Sequence, residues 1–212
     1  MGKDPDMIDM HIHAVHPDLP GIKPLTPLFE GEIQPLAAEL REQMRRSGTT
    51  HILGMGRMNG GPADPLGIGS TRSIAEHVPN LLAIGIADPT RSDDAHMQRV
   101  EQQLRTQPVV AMKGYLGYVY HGPDSPGYRP YLELAAKYRK PFIFHTGDNW
   151  SRMAKVKYAH PLLIDEVAVD HKDVNFVMAH FGNPWCMDAA EVIYKNDNVW
   201  ADVCAILVGD AG

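Results

Sequence analysis

The segment IDMHIHAVH, Ile8 to His16, places three histidines and an aspartate within nine residues. In an extended strand alternate residues share a face, so His11 and His13 project together, with Asp9 on the same side two residues earlier. Two imidazoles on one face form a metal chelate, and neutral imidazole suits zinc. Two later apolar runs also close on a histidine: PFIFHT on His145 and VNFVMAH on His180. A catalytic zinc takes three protein ligands and leaves a position open for water, and His11, His13 and His145 could supply the three. A single histidine at a strand end is ordinarily a satisfied polar residue, so His51, His77, His96, His121 and His171 are given no role. His16 lies past the strand and is expected to hydrogen-bond a loop.

Those histidines have to be held by elements that the rest of the chain specifies. Apolar runs rich in β-branched residues occur at 7–12, 51–55, 81–87, 109–115, 141–146, 174–180 and 198–206. Between them, residues 33–46, 94–106, 128–140, 161–171 and 187–196 space their apolar positions as helices do. Such βα alternation, with strands apolar on both faces, predicts a parallel sheet with right-handed crossovers. An open dinucleotide-binding sheet should show GxGxxG after its first strand, and HIHAVH stands there instead. The expected fold class is therefore α/β, a (β/α)8 TIM-barrel type, whose site lies at the C-terminal strand ends where these histidines fall.

Seven strands are legible, and such barrels run to about 250 residues. The expectation is one domain over residues 1–212, truncated after the seventh strand, with the eighth βα unit missing from this sequence; a second copy of the chain filling the gap in a homo-oligomer is the alternative. Residues 56–71, GRMNGGPADPLGIGST, have the glycines of a phosphate loop but no GK[ST] ending, and are read as a mobile loop covering the site.

Composition limits the partners. The 212 residues carry a formal charge of -6, with 44% hydrophobic and 22% charged residues, the balance of an ordinary globular domain. An acidic chain without a basic stripe has no attraction for nucleic acid. With no long apolar run and no leader-like N-terminus, a cytoplasmic protein without membrane contact is expected. Cys186 and Cys204 lack CxxC spacing; reduced, buried thiols are expected, without a role.

The motifs DMHIH, KGY, FHTGDNW, KYAHPLLIDEVAVDHKDVNFVMAHFGNPW and DAAEVIYKNDNVWADV, in that order from Ile8 to about Leu207, resemble the amidohydrolase superfamily, specifically its second amidohydrolase family of metal-dependent hydrolases and decarboxylases. The resemblance implies one divalent metal, zinc or else manganese, on His11, His13 and His145. It implies that His180, in HFGNP, contacts substrate or activates water; in some members this histidine binds metal. The family's strand-eight aspartate, a metal ligand and base, has no counterpart here, and Asp210 in LVGDAG is not assigned to that role. Some amidohydrolases carry a carboxylated lysine at the end of strand four; the family resembled is usually mononuclear, so Lys113 is expected to face substrate or form a buried ion pair.

Tyr115, Tyr118 and Tyr120 after the fourth strand, and Asp148, Asn149 and Trp150 after the fifth, lie in loops that hold substrate at such a face, with two of the three tyrosines expected to be plain loop anchors. Asp202 is placed to orient a ligand histidine, and Asp9 to sit buried beneath the site. The expected function is hydrolysis of a C–O or C–N bond in a small carboxylated or cyclic molecule. The alternatives are non-oxidative decarboxylation of an aromatic or unsaturated acid, and a catalytically silent metal-binding protein.

Overall fold

Runs of three to seven residues that are apolar on both faces are too short to bury a helix but long enough to cross a sheet, and each expected strand forms: β1 (Met7–Ile12), β2 (Thr49–Met55), β3 (Leu81–Ile86), β4 (Val109–Gly114), β5 (Phe142–His145), β6 (Phe176–Ala179) and β7 (Val199–Ala201). The computed structural model describes residues 7–22 and 32–204. Asp210, the end of the last apolar run and any counterpart of an eighth strand lie outside the described residues.

Every strand pairs in parallel with the next, in the order β1-β2-β3-β4-β5-β6-β7. Consecutive parallel strands need a crossover, and six helices provide them: α1 (Ile33–Ser47), α2 (Gly69–Ala75), α3 (Asp94–Thr106), α4 (Arg129–Tyr138), α5 (Leu162–Asp170) and α6 (Cys186–Lys195). The sheet curls into most of a barrel of the TIM type. Met55, Ile84, Ala111, Ile143, Val177 and Ala179 fill one core, whereas a larger one joins the strands to the helices through Val100, Leu104, Tyr131, Leu132, Ile164, Val167 and Val192. β1 and β7 do not pair with each other; a cleft of 980 Å³ lies between them, lined by Met7, Met10, Met44, Ala201 and Val203 among others.

Two expectations change. The short helix α2 was not expected: its seven residues, opening on glycine with only Thr71 and Ile74 buried, carry too little periodicity to read. Residues 56–68 do not cover the cavity at the strand ends. Leu66 and Ile68 are fully buried, and no residue of the segment lines the cavity at the strand ends. Asp64 anchors it, accepting from the Ile68 and Gly69 amides at 3.0 and 2.8 Å and from Gln103 Nε2 at 2.7 Å. The loop in turn holds the β1–α1 segment, through Met58 N–H to the Pro17 carbonyl (2.9 Å) and an Arg57–Asp18 ion pair (2.7 Å).

Replacing Asp64 by alanine strips a carboxylate from three donors. A loss of about 2 to 3 kcal/mol of stability is expected, read as a lower urea midpoint at unchanged slope.

Candidate metal centre at the strand ends

His11 ends the buried part of β1, His13 lies just past it, His145 is the last residue of β5 and His180 follows β6 directly. The curl of the sheet brings all four to one cavity of 260 Å³. Ring centroids are 5.4 Å apart for His11 and His13, 4.9 Å for His11 and His180, and 4.8 Å for His145 and His180. Leu19, Ile22, Tyr115, Tyr118 and Trp150 line the same space.

Hydrogen bonds set which nitrogen of each ring carries a lone pair. His11 Nδ1–H donates to Asp202 Oδ2 at 2.8 Å, leaving Nε2 free. His180 Nδ1–H donates to the Cys204 carbonyl at 3.0 Å, again leaving Nε2. His145 uses Nε2–H on the Asp148 carbonyl at 2.8 Å, leaving Nδ1. His13 Nδ1 is buried without a partner. All four rings stay neutral. Burial, with Lys113 nearby, lowers His11 to about 4; burial, with His11 beside it, lowers His13 to about 3. Burial likewise takes His145 well below the usual histidine value and lowers His180. Neutral imidazoles with inward lone pairs and an orphaned buried nitrogen are the donor set a divalent cation needs, so these residues fit one.

Asp202 organises the group. Besides His11, its carboxylate accepts from the His180 amide (2.9 Å) and the Cys204 amide (3.1 Å) through Oδ1. Burial alone would raise its pKa, but His11 and Lys113 hold it well below the usual carboxylate range. His180 and Phe181 have φ of 64° and 47°, left-handed conformations that cost about 1 to 3 kcal/mol each in a non-glycine residue. The Asp202 bond to the His180 amide helps hold that turn. Gly147 (φ 78°) lets the loop after β5 lie against the loop after β6, since a Cβ there would collide with the Asn183 carbonyl. Asp148 is joined to Asn183 on both sides of this contact, backbone and side chain each at 2.8 Å.

The remaining expectations divide. Asp148, Tyr115, Tyr118 and Trp150 line the cavity, and Tyr118 also accepts from the Trp150 amide. Tyr120 stacks on Tyr158 away from it. His16 bonds Asp18 in its loop, as expected. Lys113 neither lines the cavity nor forms an ion pair. It is fully buried with Nζ unpartnered, and burial pulls its pKa down to about 8. Asp9 is exposed instead of buried, because the lower part of β1 has no neighbour on its outer edge; it accepts from the His11 amide. Both cysteines are free and half-buried. Cys204, to which the sequence assigned nothing, lines the cavity; its position two residues after Asp202 was the signal available. Leu19 and Ile22 also line it, on a loop without a motif.

A curled parallel βα sheet with a histidine cluster at its strand ends places the chain among barrels of the TIM type. The chain belongs to the Amidohydrolase family, whose model matches residues 8–210. A search of curated proteins finds no match. Among solved structures, an uncharacterised TIM-barrel protein of Bordetella bronchiseptica superposes with a TM-score of 0.70 at 18% identity, over 93% of this chain and 75% of that one. A probable 2-pyrone-4,6-dicarboxylic acid hydrolase of Acinetobacter baumannii gives 0.60 at 15%, over 93% and 70%. The 5-carboxyvanillate decarboxylase of Sphingomonas paucimobilis gives 0.51 at 10%, over 76% and 59%. At these identities the likeness is one of fold. Among the described residues no helix is long and apolar enough to cross a membrane.

Two outcomes follow, the first for the metal-free chain. Unfolded histidines protonate near 6.5, whereas His11 and His13 resist to about 4 and 3. The unfolded state therefore binds more protons, and thermal stability should fall as pH drops from 6.5 towards 4. Asp202→Asn removes the anionic acceptor of His11 and should weaken zinc affinity about 10- to 100-fold, read by competition with a chromophoric chelator.

Proposed function

We propose that this chain is a metal-dependent hydrolase of the amidohydrolase type, opening a C–O or C–N bond in a small carboxylated or cyclic substrate. The observation that carries the reading is the convergence of four neutral histidines on one cavity, His11 and His145 buried and His13 and His180 half-buried, with three lone-pair nitrogens set by hydrogen bonds. His11, His13 and His145 would hold one divalent cation, and their nitrogen donors favour zinc, with manganese the second choice. When bound, the cation supplies Lewis acidity, polarising a carbonyl and acidifying water.

The protein's own groups do the rest. His180, with its ring beside both His11 and His145, orients the attacking water and takes its proton at Nε2. Tyr115 is buried with its hydroxyl unpartnered, and burial raises its pKa, so it stays a donor for a substrate oxygen. Leu19, Ile22 and Tyr118 exclude water, and Trp150, 73% exposed at the rim, offers a face to a ring. Asp202 keeps His11 in the required tautomer.

The test is a screen of lactones, cyclic amides and carboxylated rings with the zinc-loaded chain, following acid release and carbon dioxide together. Acid release that chelation abolishes, zinc restores and His180→Ala reduces about 10²- to 10⁴-fold is expected. Release of carbon dioxide in its place would assign a decarboxylase. Turnover unaffected by His180→Ala would sink the reading, and absence of turnover with metal bound would leave a silent metal-binding protein. Replacing His11 and His13 together by alanine should remove the bound zinc, measured by elemental analysis.

A further inference from the structure

Beyond the histidines the cavity wall carries one fixed charge. Asp148 lines it, and among the described residues no lysine or arginine does. The loop after β5 also brings Trp150 to this space, and the loop after β4 brings Tyr118. We propose that the Asp148 side of the cavity is a subsite for a positively charged group, an ammonium carried by the ring to be opened, with Asp148 as its counter-ion and Trp150 and Tyr118 as its aromatic walls. This rests on the reading that the cavity receives a cyclic substrate, and it narrows that reading from carboxylated rings to amine-bearing ones.

Asp148 is placed before any ligand arrives. Its amide donates to the Asn183 carbonyl, its Oδ2 accepts from Asn183 Nδ2, and its carbonyl accepts from His145 Nε2, each at 2.8 Å. All three partners are neutral, so these bonds fix the carboxylate without compensating its charge. No ion pair reaches it among the described residues. Cations that could have done so are engaged elsewhere. Lys155 Nζ lies 4.0 Å from the centroid of the Tyr120 ring and Lys157 Nζ 4.8 Å from that of Tyr158. Arg57 is paired with Asp18, and Lys113 is fully buried and does not reach the cavity.

A carboxylate beside aromatic faces recognises ammonium through its charge and through the ring quadrupole together, and indole is the best of those faces. Asp148 and Trp150 are both exposed, at the rim, where solvent screens the charge of a cation held by the histidines. A carboxylate substituent on the same ring would meet Asp148 as a like charge. Ring opening keeps its own groups: His180 takes the proton of the water and Tyr115 donates to the substrate oxygen, while the subsite holds a part of the substrate that does not react.

The test is a set of benzo-fused lactones alike but for one substituent, aminomethyl, hydroxymethyl or carboxyl, given to the zinc-loaded full chain at neutral pH. A fall in kcat/KM of about tenfold from the ammonium to the neutral compound, and about tenfold again to the carboxylate, is expected. Asp148→Asn keeps an oxygen for Asn183 Nδ2 and removes the charge, and should reduce each ratio to about threefold or less. Calorimetric titration with the corresponding cyclic ethers, which cannot be opened, should show the same order in Kd. Equal values for the three compounds, a preference for the carboxylate, or an ammonium preference that survives Asp148→Asn overturns this inference; lactones opened whatever their charge leave the hydrolase reading standing. An ammonium preference among the ethers with no lactone opened sustains the subsite and overturns the hydrolase reading.

Discussion

A buried carboxylate cannot remain charged unless donors surround it, and Asp202 is surrounded by three from different parts of the chain. It stands just past β7, yet its partners are the ring of a residue on β1 and the amides of the residues that follow β6 and β7. The bond to His11 spans 191 residues of sequence and joins the two strands that the sheet does not pair. The same contact fixes the His11 tautomer, helps hold the left-handed turn at His180 and sets the position of Cys204. The stability of the strand ends and the chemistry of the cavity therefore depend on one hydrogen-bonded carboxylate.

The parallel sheet makes that concentration possible. Each crossover returns the chain to the same end of the barrel, so every strand delivers its last residue to one face. Burial there keeps the imidazoles neutral. Neutrality leaves them lone pairs and costs stability in acid, because the unfolded chain protonates the same groups. Site and stability are linked through shared protons.

The walls follow from a different economy. Residues 13–22, after β1, carry Pro17, Leu19 and Ile22 to the cavity and form no helix or strand. They are pinned by the β2–α2 loop through Met58 and Arg57, and that loop is pinned by Asp64. Glycines that suggested mobility in the sequence instead permit close backbone approach: a Cβ on Gly56 or Gly67 would press against the backbone across the loop.

The βα alternation, the parallel sheet and the clustering of His11, His13, His145 and His180 were legible in the sequence, because strand and helix periodicities and strand-end residues are local properties. The helix α2 was not, being too short to show a period. The tautomers of the histidines, the exposure of Asp9, the unpartnered burial of Lys113 and the approach of Cys204 to His11 depend on contacts between residues far apart in the chain. Residue type and spacing decide what could bind a metal. Only the curl of the sheet, which brings β7 to within a hydrogen bond of β1, decides which donors meet.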